Sequence, residues 1–274
     1  MTYKNIVGRN EETRQLERFL KSSKSEFIAI YGRRRVGKSF LVEEVYKDRI
    51  VFRAIGSYIK EKDEKTYKQT QLDHFYDSLL DSGMSEETPR PGNWREAFRL
   101  LRMFLEGIRA KRRVVFLDEL PWLAGPQSSE MITELGYFWN SWADRQRNIV
   151  LVVCGSATSW MLDNVIRDYG GLHGRLTGTL RLLPFSLKEC ELYFKRHGFH
   201  LSKYEIAVAY MAFGGIPYYL DRMDNVKNLS ENIDDFFFKD DESIKNSKMS
   251  IRDCMPLRSD MLTLSKPWGQ SFTA

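Results

Sequence analysis

The sequence predicts an α/β fold: a mostly parallel sheet with helices on both faces, followed by a small helical subdomain. Two observations carry this reading. Strand-sized apolar runs alternate with stretches of helical period from about residue 10 to residue 153. From about residue 187 onward the pattern is purely helical. The elements follow in order. Residues 10–22 form a helix, with Asn10 as N-cap, Glu11 and Glu12 in the first turn, and Leu16, Phe19 and Leu20 on one face. Residues 27–31 are a strand that ends at Gly32 and a basic turn. Residues 38–46 return to helical period through Leu41, Val42 and Val45, and residues 50–54 are a second strand. Residues 60–82 are charged but periodic, with Leu72, Phe75, Tyr76, Leu79 and Leu80 recurring at helical spacing. Two prolines and two glycines make 83–93 a loop. A helix over 94–110 leads to a strand over 114–117, a helix around 128–145, and a strand over 149–153. Helices over 187–197, 203–213 and 217–223 close the pattern. The division expected is an α/β core over 1–185, a helical lid over 186–240, and an irregular tail over 241–274.

Composition excludes several classes. At 274 residues the chain has room for about two domains, and 42% hydrophobic with 29% charged residues is an ordinary globular balance. Three cysteines, Cys154, Cys190 and Cys254, are odd in number and form no CxxC pair, which argues against a disulfide framework or a zinc site. No run approaches the ~18 apolar residues of a membrane span, and the start, MTYKNIVGRN, has no apolar leader core. A cytoplasmic protein with no membrane partner is expected. The net charge is +5. Residues 221–274 hold eight basic and ten acidic groups, and residues 1–220 hold the other 34 and 27, a net of +7. That excess suits a partner carrying phosphates.

The strongest motif is Gly32-Arg33-Arg34-Arg35-Val36-Gly37-Lys38-Ser39, which fits GxxxxGK[ST] in its required setting of strand, loop and helix. Glycines permit a tight turn whose backbone N–H groups face inward, and the helix that follows adds the positive end of its dipole. Lys38 supplies a charge for the β- and γ-phosphates, and the Ser39 hydroxyl supplies a ligand for Mg²⁺. The nucleotide-binding stretch runs through Phe40. Arg33, Arg34 and Arg35 fill the variable positions, available to phosphates and otherwise solvated. A phosphate loop requires a carboxylate at the end of a neighbouring strand, and Asp118-Glu119 follow Val114-Val115-Phe116-Leu117. Asp118 is the second Mg²⁺ residue, and Glu119 is the group that polarises attacking water.

Other candidates are weaker. Ser156 and Thr158, after the strand over 149–153, fit either a γ-phosphate contact or a helix N-cap. Cys154 reads as a small buried apolar residue. Arg175 follows a stretch containing Gly170, Gly171 and Gly174, and fits either stabilisation of the transferred phosphoryl group, in cis or in trans, or a solvated surface position. Arg181 is the second choice for that role.

The ordered set GRRRVGKS, VVFLDELPWL, VVCGSATSWM, LHGRLTGTLRLLPFSLKE and FGGIPYYL resembles the archaeal-type P-loop ATPases, of the STAND/AAA-like branch, over about residues 5–240. The resemblance implies a P-loop NTPase fold, with Val7, Gly8 and Arg9 in an N-terminal box near the adenine. It implies that Lys38, Ser39, Asp118 and Glu119 serve ATP and Mg²⁺, that Ser156 lies in a sensor strand, and that Pro217 belongs to a GxP motif joining the helical lid to the nucleotide. Relatives usually continue into winged-helix and nuclease-like regions. Residues 243–274 show neither helical period nor family likeness, so a truncated or frame-shifted tail is expected.

The function expected is slow Mg²⁺-dependent ATP hydrolysis driving a molecular switch. The alternatives are a nucleotide-dependent DNA- or protein-interaction module with little turnover, and a kinase acting on a small acceptor; a homo-oligomer stays open. The Asp118-Glu119 pair fits water activation better than acceptor recognition. Much of the local positive charge sits at Arg33, Arg34, Arg35 and Lys38, where ATP's own phosphates account for it.

Overall fold

The computed structural model describes residues 3–60, 63–125, 129–167, 172 and 174–238. The expected tail over 241–274, and Gly170 and Gly171, lie outside the described residues. Two compact units divide between Leu183 and Pro184.

The first unit is built on five strands: β1 (Glu26–Tyr31), β2 (Ile50–Ile55), β3 (Arg113–Asp118), β4 (Ile149–Gly155) and β5 (Gly178–Arg181). Their order is β2-β3-β4-β1-β5, with every pairing parallel. The central strands read as unbroken apolar runs because helices cover both faces of the sheet. Phe27, Val115, Leu117, Leu151 and Val153 face one core, and Ile28, Ile30, Phe116, Val152 and Cys154 face the other. The first core is filled from α3 (Glu64–Asp81), α4 (Trp94–Gly107), α5 (Leu120–Ala124) and α6 (Ser129–Ser141). Aromatic rings tie these layers together, with Phe27 and Trp139 at 5.1 Å and Phe98 and Phe138 stacked at 5.5 Å. The opposite core takes Leu16 and Phe19 from α1 (Asn10–Lys21), and Leu41, Val42 and Val45 from α2 (Lys38–Tyr46).

Several elements depart from the sequence reading. Asn10 is not the N-cap of α1. Arg9 holds that position in the left-handed region (φ 53°) with no side-chain cap bond, because a guanidinium has only donors and a cap needs an acceptor. The helix expected around 128–145 is shorter and ends at Ser141, followed by a 3₁₀ turn over Ala143–Gln146, with the separate α5 before it. Strand β5 was not expected: only Leu180 of its four residues is buried, so it carries no apolar alternation. The acidic strand is not the neighbour of the phosphate-loop strand, since β4 lies between β1 and β3. Two strand spacings, about 10 Å, therefore separate them, which leaves room for a phosphate chain between loop and acid.

The second unit contains α8 (Leu187–Arg196), α9 (Lys203–Phe213), α10 (Pro217–Leu220) and α11 (Leu229–Phe237), and α7 (Thr158–Met161) belongs to the first. Capping boxes start three of its helices, through Ser186 with Glu189, Ser202 with Glu205 and Asn228 with Glu231, each worth about 1 kcal/mol. Phe213 packs on Phe236 at 5.2 Å. The buried Asn232 donates to the carbonyls of Asp224, Lys227 and Asn228, fixing the turn before α11.

Candidate nucleotide-binding site

The carboxyl end of β1 runs directly into the loop Gly32–Gly37, and Lys38 opens α2. The turn needs backbone that side chains resist: Gly32 has φ +148° and Gly37 has φ +89°. A Cβ on Gly32 would lie 2.1 Å from the Leu182 carbonyl oxygen, so the loop is packed directly against the chain leaving β5. Arg35 also takes a positive φ, 71°. Val36 is buried, Arg33 and Arg35 are half-buried, and Arg34 and Phe40 are exposed.

Arg9 holds the loop in place. Its side chain is 6% exposed, and Nη2 donates to the Leu183 carbonyl at 2.6 Å and to the Val36 carbonyl at 3.4 Å. Nη1 meets Glu12 at 3.3 Å. The loop carbonyl and the chain after β5 are thus fastened by one buried cation. Val7 is buried beside it, and Gly8 has φ 64°.

Lys38 is 5% exposed, and its Nζ donates to the carbonyls of Gly32 at 2.9 Å and Arg33 at 3.0 Å. Burial pulls its ammonium below the ordinary lysine value of 10.5, against the opposing pull of Glu119 and Asp118. Those acids face it from the end of β3. Asp118 is buried, its Oδ1 accepts from the Glu119 backbone N–H at 3.0 Å, and Arg53 Nη2 stands 3.4 Å from Oδ2. Glu119 sits in the left-handed region (φ 48°), and its Oε2 accepts from the Ser156 hydroxyl at 2.9 Å and the Ser156 N–H at 3.2 Å. The strand ends therefore converge: Lys38 and Ser39 after β1, Asp118 and Glu119 at β3, and Ser156 after β4 between them.

Residues 6–223 match the family described as the ATPase domain predominantly from Archaea. The chain belongs to that family. Among its relatives, an uncharacterized protein of Methanocaldococcus jannaschii is 29% identical over 224 residues, covering 80% of this chain and 44% of the relative. The chain thus spans less than half the length of that relative. An uncharacterized ATP-binding protein of the same organism is 42% identical over 49 residues, 18% of this chain and 83% of that one. A Walker-type ATPase of Pyrococcus abyssi shares the fold at a TM-score of 0.57 and 23% identity, over 84% of this chain and 72% of that one. The ORC2 protein of Aeropyrum pernix, in ADPNP and ADP complexes, gives a TM-score of 0.51 at 13% identity, over 90% of this chain and 74% of that one. The fold is that of a P-loop NTPase.

This member of the archaeal ATPase-domain family does not bring every sequence candidate to the loop. Arg175 is exposed three residues before β5, and Thr177 N–H donates to the Phe27 carbonyl at the start of β1. The start of β1 is about 16 Å from Gly32, five residues at ~3.3 Å each. Arg175 therefore lies at the far end of the sheet, outside reach of the loop in cis. Arg181, the second choice, pairs with Tyr31 immediately before Gly32 and is exposed. The sequence reading ranked Arg175 first because β5, which sets the two at opposite ends of the sheet, was not recognised. Pro217 is the first residue of α10, in the second unit. Ser156 is not a helix N-cap: Ala157 precedes α7 and makes no cap bond, and the Ser156 side chain is given to Glu119. Cys154 is fully buried, and burial pushes its thiol well above the ordinary range, so it is a packing residue.

The sequence reading missed Arg53. From β2 its Nη2 meets Glu43 of α2 at 2.6 Å as well as Asp118, so it ties the loop's helix to the acidic strand. Gly56 was missed too: its N–H donates to the Asp118 carbonyl, and a Cβ there would lie 2.4 Å from the Glu119 carbonyl oxygen. A lone arginine inside a strand pattern was the available signal.

Among the described residues no cluster of three or more His, Cys, Asp or Glu side chains could hold a metal ion. The Ser39 hydroxyl and the buried Asp118 carboxylate are hard oxygen donors, the kind that could hold Mg²⁺ with substrate phosphates supplying the remainder. Asp118 Oδ2 has only the long 3.4 Å contact with Arg53, which leaves it available. No described helix is long and apolar enough to cross a membrane.

Proposed function

We propose that the chain binds ATP at the Gly32–Ser39 loop and hydrolyses it slowly, with Mg²⁺, as a nucleotide-driven switch. One observation supports this above the rest: Lys38, Asp118 and Glu119 converge at the carboxyl ends of parallel strands, beside a loop whose geometry only glycine fits comfortably. Lys38 positions the β- and γ-phosphates. Its ammonium now rests on two loop carbonyls, and a phosphate chain gives it stronger, charged acceptors. Ser39 and Asp118 would hold Mg²⁺, which when bound neutralises charge on the phosphate oxygens. Glu119 accepts a proton from the attacking water at its carboxylate.

The slow rate has a local cause. Glu119 Oε2 is held by both the hydroxyl and the N–H of Ser156, so the base is engaged by the protein before it can serve water. Turnover then waits on release of that pair, which is what a switch requires. Pro217, in the helical unit, is the residue through which the family pattern couples nucleotide to the second unit. A DNA or protein client would read that change.

The test compares nucleotide binding and phosphate release in three proteins. Lys38→Ala is expected to lose ATP binding, and Glu119→Gln to keep it while turnover stops. Equal hydrolysis by Glu119→Gln and the wild type would remove Glu119 from its role.

A further inference from the structure

The five parallel strands start nearly level: Ile50 pairs with Val114, Arg113 with Ile149, Glu26 with Val150 and Ile28 with Gly178. Reading the sheet from β2 to β5, each strand is preceded within three residues by an exposed cation: Arg49, Lys111, Arg147, Lys24 and Arg175. Four strand spacings of ~4.8 Å spread them over about 19 Å. The same turns add Lys47, Arg109 and Arg145, and the exposed acids among them are Asp48 and Asp144. This rim accounts for much of the +7 excess of residues 1–220, and it lies at the opposite end of the sheet from the phosphate loop.

The rim is preformed. Arg112 is buried beneath it, and its guanidinium donates to the carbonyls of Lys24 at 2.8 Å, Arg147 at 2.9 Å and Phe19 at 2.7 Å. Two rim cations are thereby fixed through their own backbone by a third cation, whose hydrogen-bond acceptors are all uncharged carbonyls. Arg147 also sits in the left-handed region (φ 62°), where glycine or asparagine is the easy choice.

We propose that this rim is a docking surface for duplex nucleic acid, which it holds through the phosphates without reading sequence. The inference does not depend on the ATPase reading. Duplex DNA carries a charge per ~1.7 Å, so a 19 Å span presents about 11 phosphates, ample for five cations. An anionic membrane fits less well. Surface binding to lipid needs apolar side chains alongside the charge, and among the described residues these turns expose no large apolar group. A single strand fits less well for the same reason, because among the described residues no exposed aromatic offers a stacking platform there.

The experiment measures binding of the full chain to a labelled 20-base-pair duplex by anisotropy across a salt series. Each cation on a phosphate contributes about −0.9 to the slope of log affinity on log salt, so about −4.5 is expected for five. The rim variant Lys24→Gln/Lys111→Gln/Arg147→Gly is expected to fall to about −1.8. Its glycine relieves the strained φ, and a circular-dichroism spectrum and thermal midpoint matching the wild type check that the variant is folded. A control, Lys65→Gln/Lys188→Gln/Lys203→Gln, removes the same charge from other exposed positions and should keep the wild-type slope. The proposal is overturned by no duplex binding at 50 mM salt, by an unchanged slope in the rim variant, or by an equal loss in the control. Tighter binding to vesicles of 70% phosphatidylcholine and 30% phosphatidylserine than to the duplex also overturns it.

Discussion

Gly32→Ala tests whether the phosphate loop is set by a backbone contact. The new methyl would stand 2.1 Å from the Leu182 carbonyl oxygen and 3.1 Å from its carbon. Either the loop or the chain after β5 must move by about 1 Å, an overpacking cost of ~1–3 kcal/mol. That movement pulls on two bonds, Leu182 N–H to the Tyr31 carbonyl at 2.8 Å and Arg9 Nη2 to the Leu183 carbonyl at 2.6 Å. Each is worth about 1 kcal/mol, which brings the loss to ~3–5 kcal/mol, a large share of the 5–15 kcal/mol typical of a domain. Gly37→Ala is the matched comparison. Its Cβ meets nothing within 4 Å, so its cost is the left-handed φ alone, roughly 1 kcal/mol. Urea unfolding of both variants, with titration of a fluorescent ATP analogue, measures the difference. Both positions carry a positive φ, and Gly32 adds the carbonyl contact, so the reasoning fails if Gly32→Ala is as stable as Gly37→Ala.

Three other expectations concern the charges of the site. Ser156→Ala frees Glu119 Oε2 from its hydroxyl donor and should raise basal phosphate release severalfold, about 1 kcal/mol of restraint, in a single-turnover assay. Unchanged release would show that this bond does not hold the base. Arg53→Met leaves the buried Asp118 without its guanidinium neighbour and should cost ~1–2 kcal/mol in thermal unfolding, moderated by the partial exposure of Arg53. Glu43→Gln, which leaves the Asp118 contact in place, should cost less. Lys38→Met should stabilise the nucleotide-free protein at neutral pH while abolishing ATP binding. The folded Lys38 pKa lies below 10.5, so the unfolded chain binds the proton more tightly. Wild-type stability then gains a contribution as pH rises from the lowered value toward 10.5, and the Met variant, measured across the same range, lacks it.

The parts of the site that sit next to each other in sequence were legible, and those joined through space were not. Gly32 to Ser39 needs only the turn and the helix that follow β1, and Asp118-Glu119 needs only an apolar run that stops at two acids. Strand order was beyond reach, because the crossovers that place β4 between β1 and β3 leave no trace in spacing. Strand β5 escaped because an edge strand of four residues buries only Leu180 and so lacks a period. That omission carried a further error: with β5 unseen, Arg175 and Arg181 were both merely residues after a glycine-rich stretch, although they occupy opposite ends of the sheet. Arg9 was named through the resemblance, but its hold on the loop and its place at the helix start escaped for a related reason. Its partners Val36 and Leu183 are 27 and 174 residues away, so the neighbouring Asn10, a better cap by chemistry, drew the helix start to itself.

On the two readings proposed, the ends of the parallel sheet divide the positive charge between two tasks. ATP's phosphates would account for the cations at Arg33, Arg34, Arg35 and Lys38, but not for those before the strands, which lie a full strand length away. Six residues of β1 span about 20 Å, more than twice the ~8 Å screening length at physiological salt. Direct attraction or repulsion between a nucleotide at one end and a duplex at the other is therefore small. Dependence of duplex affinity on ATP has to be carried by an element that changes position, and any such coupling acts equally in reverse, so a duplex that binds ATP-loaded protein α-fold more tightly raises ATP affinity α-fold. Measuring both affinities in one titration separates two machines. Equal, non-unit factors describe a switch that links both ends of the sheet, whereas factors of one describe an ATPase and a polyanion surface that share a scaffold and act apart.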